Sequence, residues 1–399
     1  MFVIKKDNMN VPLKIFSKEW MIEPQCLEQM ETIWSLPFLY KHMALMPDWH
    51  LWIGASIGSV VATKWVIIPS LVGVDIGCWM SAVKTSITNI DKDSLKKIMW
   101  MIRKSIPVWF NKHKEKQDAG LTPAIIDCCD YKTPIVDREF EKSLYSLWTL
   151  WGWNHFIEIQ KWSDGYIWIM IHSGSRNLGK QVADHYNKIA IEQNEKWHCL
   201  FNKDLAFLPV ETEEGQNYIR EMQYCVDFAF ANRRLMMERV LLCFLEGLTK
   251  DWMVTELWCI PDDIINIAHN YARLENHWGK NVRVHRKGAT SAKDGEIGII
   301  PWSQWTKSYI VRGIWNRDSF MSCSHWAGRK MWRKDAQRSL DLEAEKKILD
   351  DLWVIHGIRH TSDLDEAPSA YKDIDIVMEE QKDLVDIVVE LTPLAVVKG

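Results

Sequence analysis

An α+β fold is what the 399 residues of this chain predict, and three observations carry the prediction. Alternating or short apolar runs bounded by turn residues mark strands in the first ninety residues, and again over 157–171 and 281–300. Longer stretches with apolar residues three and four apart mark helices between and after them. No repeat, low-complexity segment or linker divides the chain, so one domain is expected over residues 1–399.

Taken in order, 59–63 and 65–68 are apolar runs bounded by Gly and Pro, and 81–85 alternates; all three read as strands. Asp91 stands in capping position ahead of Leu95, Ile98 and Ile102, which predicts a helix over 91–105. The more polar stretch 110–145 is assigned to loops and helices. Residues 157–160 and 166–171 read as paired strands around a Ser163-Asp164-Gly165 turn. Helices follow over 178–195 and 218–245, the second with Met222, Phe228, Leu235, Met236 and Val240 on its apolar side. Short strands return over 281–300, and helices are expected over 339–350 and 375–389.

Hydrophobic residues at 47% and charged residues at 26% are ordinary for a soluble globular protein. A net charge of −4 gives no global nucleic-acid signature, so any RNA contact must come from a local basic patch. No apolar run approaches a membrane span, and residues 1–10 lack the apolar stretch of a signal peptide. The nine cysteines are scattered without a C-x-x-C pair, which argues for a reduced, cytoplasmic protein rather than a disulfide framework.

Four islands join metal-binding side chains to turn residues: Gly73-Val-Asp75-Ile-Gly77-Cys78, Asn154-His155-Phe-Ile-Glu158, His172-Ser-Gly-Ser-Arg176 and Asn266-Ile-Ala-His269. One carboxylate, one thiolate and three imidazoles suit Mn, Fe, Co or Zn, whereas oxygen-only Mg or Ca sites would not use the thiol. Any of these histidines alone is more often a hydrogen-bonded structural residue, and a lone Cys78 more often a small buried hydrophobe. A second constellation, His285-Arg-Lys-Gly-Ala-Thr290 with Pro301-Trp-Ser303, combines cations, backbone donors and hydroxyls as an anion cradle would. Its bland counterpart is a solvated basic loop. His325, before the small-residue turn Ala327-Gly328, reads equally as nucleophile, ligand or turn residue.

Taken together the islands resemble the RtcB-type RNA ligases. The resemblance also runs through 46–50, 69–78, 284–290, 308–313, 322–325, 366–373 and the closing 397–399, in order from about residue 40 to the C-terminus. It implies a large mixed α+β domain with sheets around a metal-binding central cleft. It implies two manganese ions held by Asp75, Cys78, His155, His172 and His269, with Cys78 bridging them. It also implies that GTP is attacked at its α-phosphorus by His325, giving a guanylyl-histidine, with Asn154, Glu158, Ser303, Tyr371 and Lys398 contacting GMP. The implied partners are RNA ends: a 3′-phosphate or 2′,3′-cyclic phosphate joined to a 5′-hydroxyl, with room for an activating protein partner. A nucleotide-binding relative without catalysis and a metal-dependent phosphoesterase are the rival classes.

The departures from that pattern are systematic. The chain carries 23 Trp and only 19 Gly, against roughly 28 Gly at usual frequency. Trp52, Trp65, Trp79, Trp148, Trp151, Trp153, Trp302, Trp305, Trp315 and Trp326 stand where the family has glycine, and Trp353 is a further candidate. Drift would not strike glycine repeatedly while sparing every ligand. The hypothesis is that the gene's UGA codons specify glycine and that tryptophan arises only under the other reading of UGA. Trp109 and Trp278 are taken as genuine tryptophans, and the rival accounts are deliberate mutation and a degenerate Trp-rich relative.

Overall fold

The structure is a computed structural model that describes residues 1–124, 133–152, 154–163, 165–248, 264–303 and 306–399. Two sheets dominate it. A six-stranded sheet runs in the order Phe2–Ile4, Leu13–Ile15, Leu39–His50, Ile57–Thr63, Lys280–Lys287 and Asn270–His277. A seven-stranded sheet runs Ile265–Ala268, Trp79–Lys84, Ile167–Ser173, Phe156–Trp162, Val385–Lys398, Ser308–Gly313 and Ile297–Pro301, every neighbouring pair antiparallel.

Strand alternation sends alternate residues to opposite faces, and it divides the core. Ile157, Ile159, Ile169 and Ile171 pack outward on the helices Lys92–Ser105, Asn177–Lys196 and Glu213–Leu248. Phe156, Trp168, Met170 and Met80 turn the other way and meet Ala44, Met46, Val60 and Val284 of the six-stranded sheet. That sheet's outer face, with Met43, Leu45 and Val61, is covered by the helix Pro24–Trp34. The result is the α+β arrangement the sequence predicts, with one apolar layer between the sheets.

Most predicted elements appear. The helix Lys92–Ser105 is capped by Asp91, whose carboxylate accepts from the backbone N–H of Asp93 and Ser94, both at 2.9 Å. The paired strands form as Phe156–Trp162 and Ile167–Ser173, the second shifted by a residue or two, the helices over 178–195 and 218–245 form with wider bounds, and the strands after 280 are present. The run 65–68 contributes only the strand Val66–Ile67, and the helix expected over 339–350 forms as Leu342–Asp351 after a separate helix, Arg333–Ser339.

One expectation is overturned. The helix over 375–389 stops at Glu380, and Val385–Lys398 is a strand. Its run of β-branched residues earns a central place, paired with Ser308–Gly313 on one side and Phe156–Trp162 on the other.

The backbone also bears on the tryptophans. Among the described residues, Trp109, Trp148, Trp278, Trp315 and Trp353 all adopt positive φ, between 41° and 62°. Trp278 and Gly279 form the two-residue loop between Asn270–His277 and Lys280–Lys287, with φ of 48° and 74°. Such a hairpin loop needs positive φ at both positions, a demand met by Gly or Asn. Trp353 follows the helix Leu342–Asp351 at the position that glycine takes in a Schellman motif: its N–H reaches Asp350 O at 3.0 Å, and Val354 N–H reaches Leu349 O at 3.1 Å. Trp109 and Trp278 therefore sit in conformations that favour glycine, as Lys41, His198 and Phe320 also do.

Candidate active site and metal centre

The antiparallel register brings the islands together. Trp79 pairs with Ala268 and Ser173, and Phe156 pairs with His172 and Lys398. Residues just beyond or at these strand ends, namely Cys78, His155, His172 and His269, therefore meet at one end of the seven-stranded sheet. The turn that carries Asp75 and Cys78 lies against the long helix Glu213–Leu248. Arg233 of that helix is fully buried and donates to the carbonyls of Gly77 at 3.2 Å and Ser173 at 2.8 Å. Sequence reasoning gave Arg233 no part, because its role depends on contacts far along the chain.

Cys78 Sγ lies 3.2 Å from His155 Nε2 and 3.1 Å from His172 Nε2, the three forming a buried cluster suited to a metal ion. The opposite ring nitrogens are committed: His155 Nδ1 to Gly152 O at 3.1 Å and His172 Nδ1 to Asn154 O at 2.8 Å. Donation from Nδ1 leaves each Nε2 lone pair free to ligate, the usual outer support of a metal-bound imidazole. Asp75 Oδ2 is 3.5 Å from His155 Nε2. The His269 ring packs 5.4 Å from that of His172 and 4.5 Å from that of His325, and its buried Nδ1 has no partner among the described residues. All five predicted ligands are thus contiguous, and a soft-to-borderline donor set with an orphaned imidazole nitrogen fits a transition metal.

Burial dominates the electrostatics of the cluster. Burial, followed by the Asp75 charge, pushes the Cys78 thiol well above its ordinary range. Burial and neighbouring imidazoles hold His172 and His269 well below theirs, so both are neutral, as ligation requires. Close approach is secured by glycine: a Cβ on Gly174 would lie 2.7 Å from Asp75 Oδ1.

His325 stands beside this cluster with a carboxylate of its own. Its Nδ1 donates to Asp48 Oδ2 at 2.7 Å, and the same oxygen accepts the backbone N–H of His325 at 3.1 Å and of Trp326 at 3.2 Å. Asp48 is fully buried. It sits in the 46–50 segment quoted for the family resemblance, but nothing local in the sequence marks it as the partner of a histidine 277 positions away. Gly288, at φ 62°, passes close to the imidazole; a Cβ there would lie 3.0 Å from His325 Cε1.

The residues expected at the nucleotide are less united. Tyr371 OH donates to Glu366 and accepts from Arg329 Nη1 at 3.0 Å, and Lys398 Nζ pairs with Asp365 at 2.5 Å. Glu158 is buried in its strand and accepts from Gln160 Nε2 at 2.6 Å, while Ser303 Oγ meets Thr306 Oγ1 at 2.8 Å. Asn154 contributes its carbonyl to His172. Between Tyr371 and the metal cluster lies the buried indole of Trp326, its ring 6.1 Å from Tyr371, 5.7 Å from Phe156 and 5.1 Å from His172. Trp79, by contrast, turns from the cluster and packs on Arg233, 4.8 Å from ring to guanidinium.

The anion cradle does not form as expected. Arg286 is fully buried and paired with Glu275 at 2.5 Å, His285 Nε2 accepts from Ile68 N–H at 3.0 Å, and Lys287 Nζ donates to the carbonyls of Ile53 and Ser70. These side chains serve the fold.

Fold and site together define a class: an α+β protein with a buried cysteine–histidine cluster suited to a metal ion and a carboxylate-held histidine beside it. The profile described as tRNA-splicing ligase RtcB matches residues 29–127 and 126–399. The protein named RNA-splicing ligase RtcB in Escherichia coli (strain K12) is 37% identical over 404 residues, covering 98% of each chain. The tRNA-splicing ligase RtcB of Nanoarchaeum equitans is 30% identical, covering 99% of this chain and 97% of its own. That of Thermococcus kodakarensis is 28% identical over 98% and 95% respectively. The chain belongs to the RtcB family of RNA ligases.

Proposed function

We propose that this protein joins RNA ends bearing a 3′-phosphate or 2′,3′-cyclic phosphate to 5′-hydroxyl ends, with GTP and two manganese ions, through GMP carried on His325. The carrying observation is the 2.7 Å contact between His325 Nδ1 and the buried Asp48 carboxylate. It fixes the tautomer that leaves Nε2 as the nucleophilic nitrogen and balances the positive charge that the ring gains on bonding to phosphorus. Asp75, Cys78, His155, His172 and His269 would hold the metals, which supply charge neutralisation and Lewis acidity to the phosphates. Asn154, Glu158, Ser303, Tyr371 and Lys398 are the residues proposed to receive the guanosine moiety. Incubation with manganese, GTP and two oligoribonucleotides of these end types should give the joined product. Joining that proceeds equally without GTP would contradict the reading.

A specific observation bears on the tryptophan form of the chain. The Trp326 indole fills the space between Tyr371 and the metal cluster, and its buried N–H has no partner among the described residues. That form is proposed to be impaired, a binding relative at best. The glycine reading of UGA removes the indole and leaves every ligand in place.

A further inference from the structure

A cavity of about 650 Å³ is lined in part by the C-terminal residues Lys398 and Gly399. Its wall carries Arg103, Arg333, Lys334, Arg359 and Lys398 against only Asp363 and Asp365. Both acids are already engaged: Asp363 accepts the backbone N–H of Arg359 and His360, and Asp365 pairs with Lys398 at 2.5 Å. Arg333 pairs with Glu366. Among the described residues Arg103 and Lys334 have no carboxylate within pairing distance, and Arg359 donates from its side chain only to the carbonyl of Ile358. Desolvation and the Arg359 charge hold the Arg103 guanidinium below its ordinary range, as expected of cations that face one another without an anion between them.

In a chain of net charge −4 such a patch is a local exception. Two hydrogen bonds tie it to the active site: Gly399 N–H to His155 O at 2.9 Å, and Arg176 Nη2 to the carbonyl of the wall residue Trp109, also 2.9 Å. The three cations without a carboxylate partner among the described residues come from separate segments, the end of the helix Lys92–Ser105, the start of Arg333–Ser339 and the loop at 359. That spread suits several phosphates in a row better than a single anion.

We propose that this cavity binds the phosphodiester backbone of one of the RNA strands being joined, holding the nucleotides that lead into the metal centre. The proposal rests on the RNA-ligase reading. Its test uses the full-length chain in glycine form and a fluorescent single-stranded RNA with a 3′-phosphate, titrated at several salt concentrations. Arg103→Glu, Lys334→Glu and Arg359→Glu together should weaken binding by about tenfold or more and flatten the log–log salt dependence by roughly 2, at ~0.7 per lost phosphate contact. GMP labelling of His325 should be unchanged, which also reports an intact fold; the three alanine variants replace the glutamates if it is not. RNA affinity and salt slope equal to the parent's would overturn the site, as would loss of GMP labelling by folded protein with RNA binding kept, which would assign these cations to the triphosphate. A parent that binds no RNA at any salt would overturn the ligase reading itself, and this site with it.

Discussion

His325 and Asp48 show how much one hydrogen bond sets. Without the carboxylate the imidazole would be free to swap tautomers, and the ring would lose the charge proposed to stabilise it when bonded to phosphorus. Asp48→Asn should slow GMP attachment by about 10²–10⁴-fold in single-turnover labelling, while manganese content measured on the purified protein stays level. Tryptophan in a left-handed backbone is the second residue-scale matter. Each such residue costs roughly 1–3 kcal/mol, so five strain a protein whose net stability is only about 5–15 kcal/mol. Trp353 is the cleanest place to measure this, because it is 80% exposed and contributes little packing. Trp353→Gly should raise the unfolding free energy by about 1 kcal/mol in a urea titration; no gain would mean that the motif tolerates the side chain. The codons at 109, 278 and 353 should be UGA like those at the ten family positions. UGG there would separate these three from the set.

Among elements, the seven-stranded sheet decides whether the ligands meet, because a register slip of one residue would turn His172 away from Cys78. Cys78→Ala removes the atom that both Nε2 nitrogens face. It should lower bound manganese measured by metal analysis, together with ligation, whereas near-normal values would take Cys78 out of the centre. In the other sheet, Arg286 and Glu275 link neighbouring strands inside the core. Burial favours the neutral acid, but Arg286 and the hydrogen bonds from His277 and Arg286 win and hold Glu275 well below the usual carboxylate range. A depressed carboxyl stabilises above its unfolded value and loses that contribution as pH falls. Glu275→Gln should therefore destabilise by about 3–5 kcal/mol at neutral pH, leaving a buried cation unpaired. The difference from the parent should shrink progressively below about pH 4. An equal difference at both pH values would show that the pair is not ionised.

At the scale of the whole molecule, the sequence was legible where a pattern is local. Asp91 announced its helix, and alternation announced the strands that carry His155 and His172. It misled where context decides: the apolar run after Glu380 serves a helix or a strand equally until a sheet has room for it. Arg286 and Lys287 read as phosphate ligands because sequence cannot show that Glu275 and two carbonyls already hold them. Asp48 and Arg233 were silent for the same reason. The proposed ligand set came only from the ordered family motifs, since no spacing foretells that four strand ends converge. The account as a whole stands on GMP reaching one histidine. The most direct measurement is peptide mass spectrometry of the glycine-form protein after incubation with manganese and GTP. An acid-labile GMP adduct is expected on the peptide containing His325, lost in His325→Ala; an adduct on another residue, or none from folded, metal-loaded protein, would contradict the role of His325.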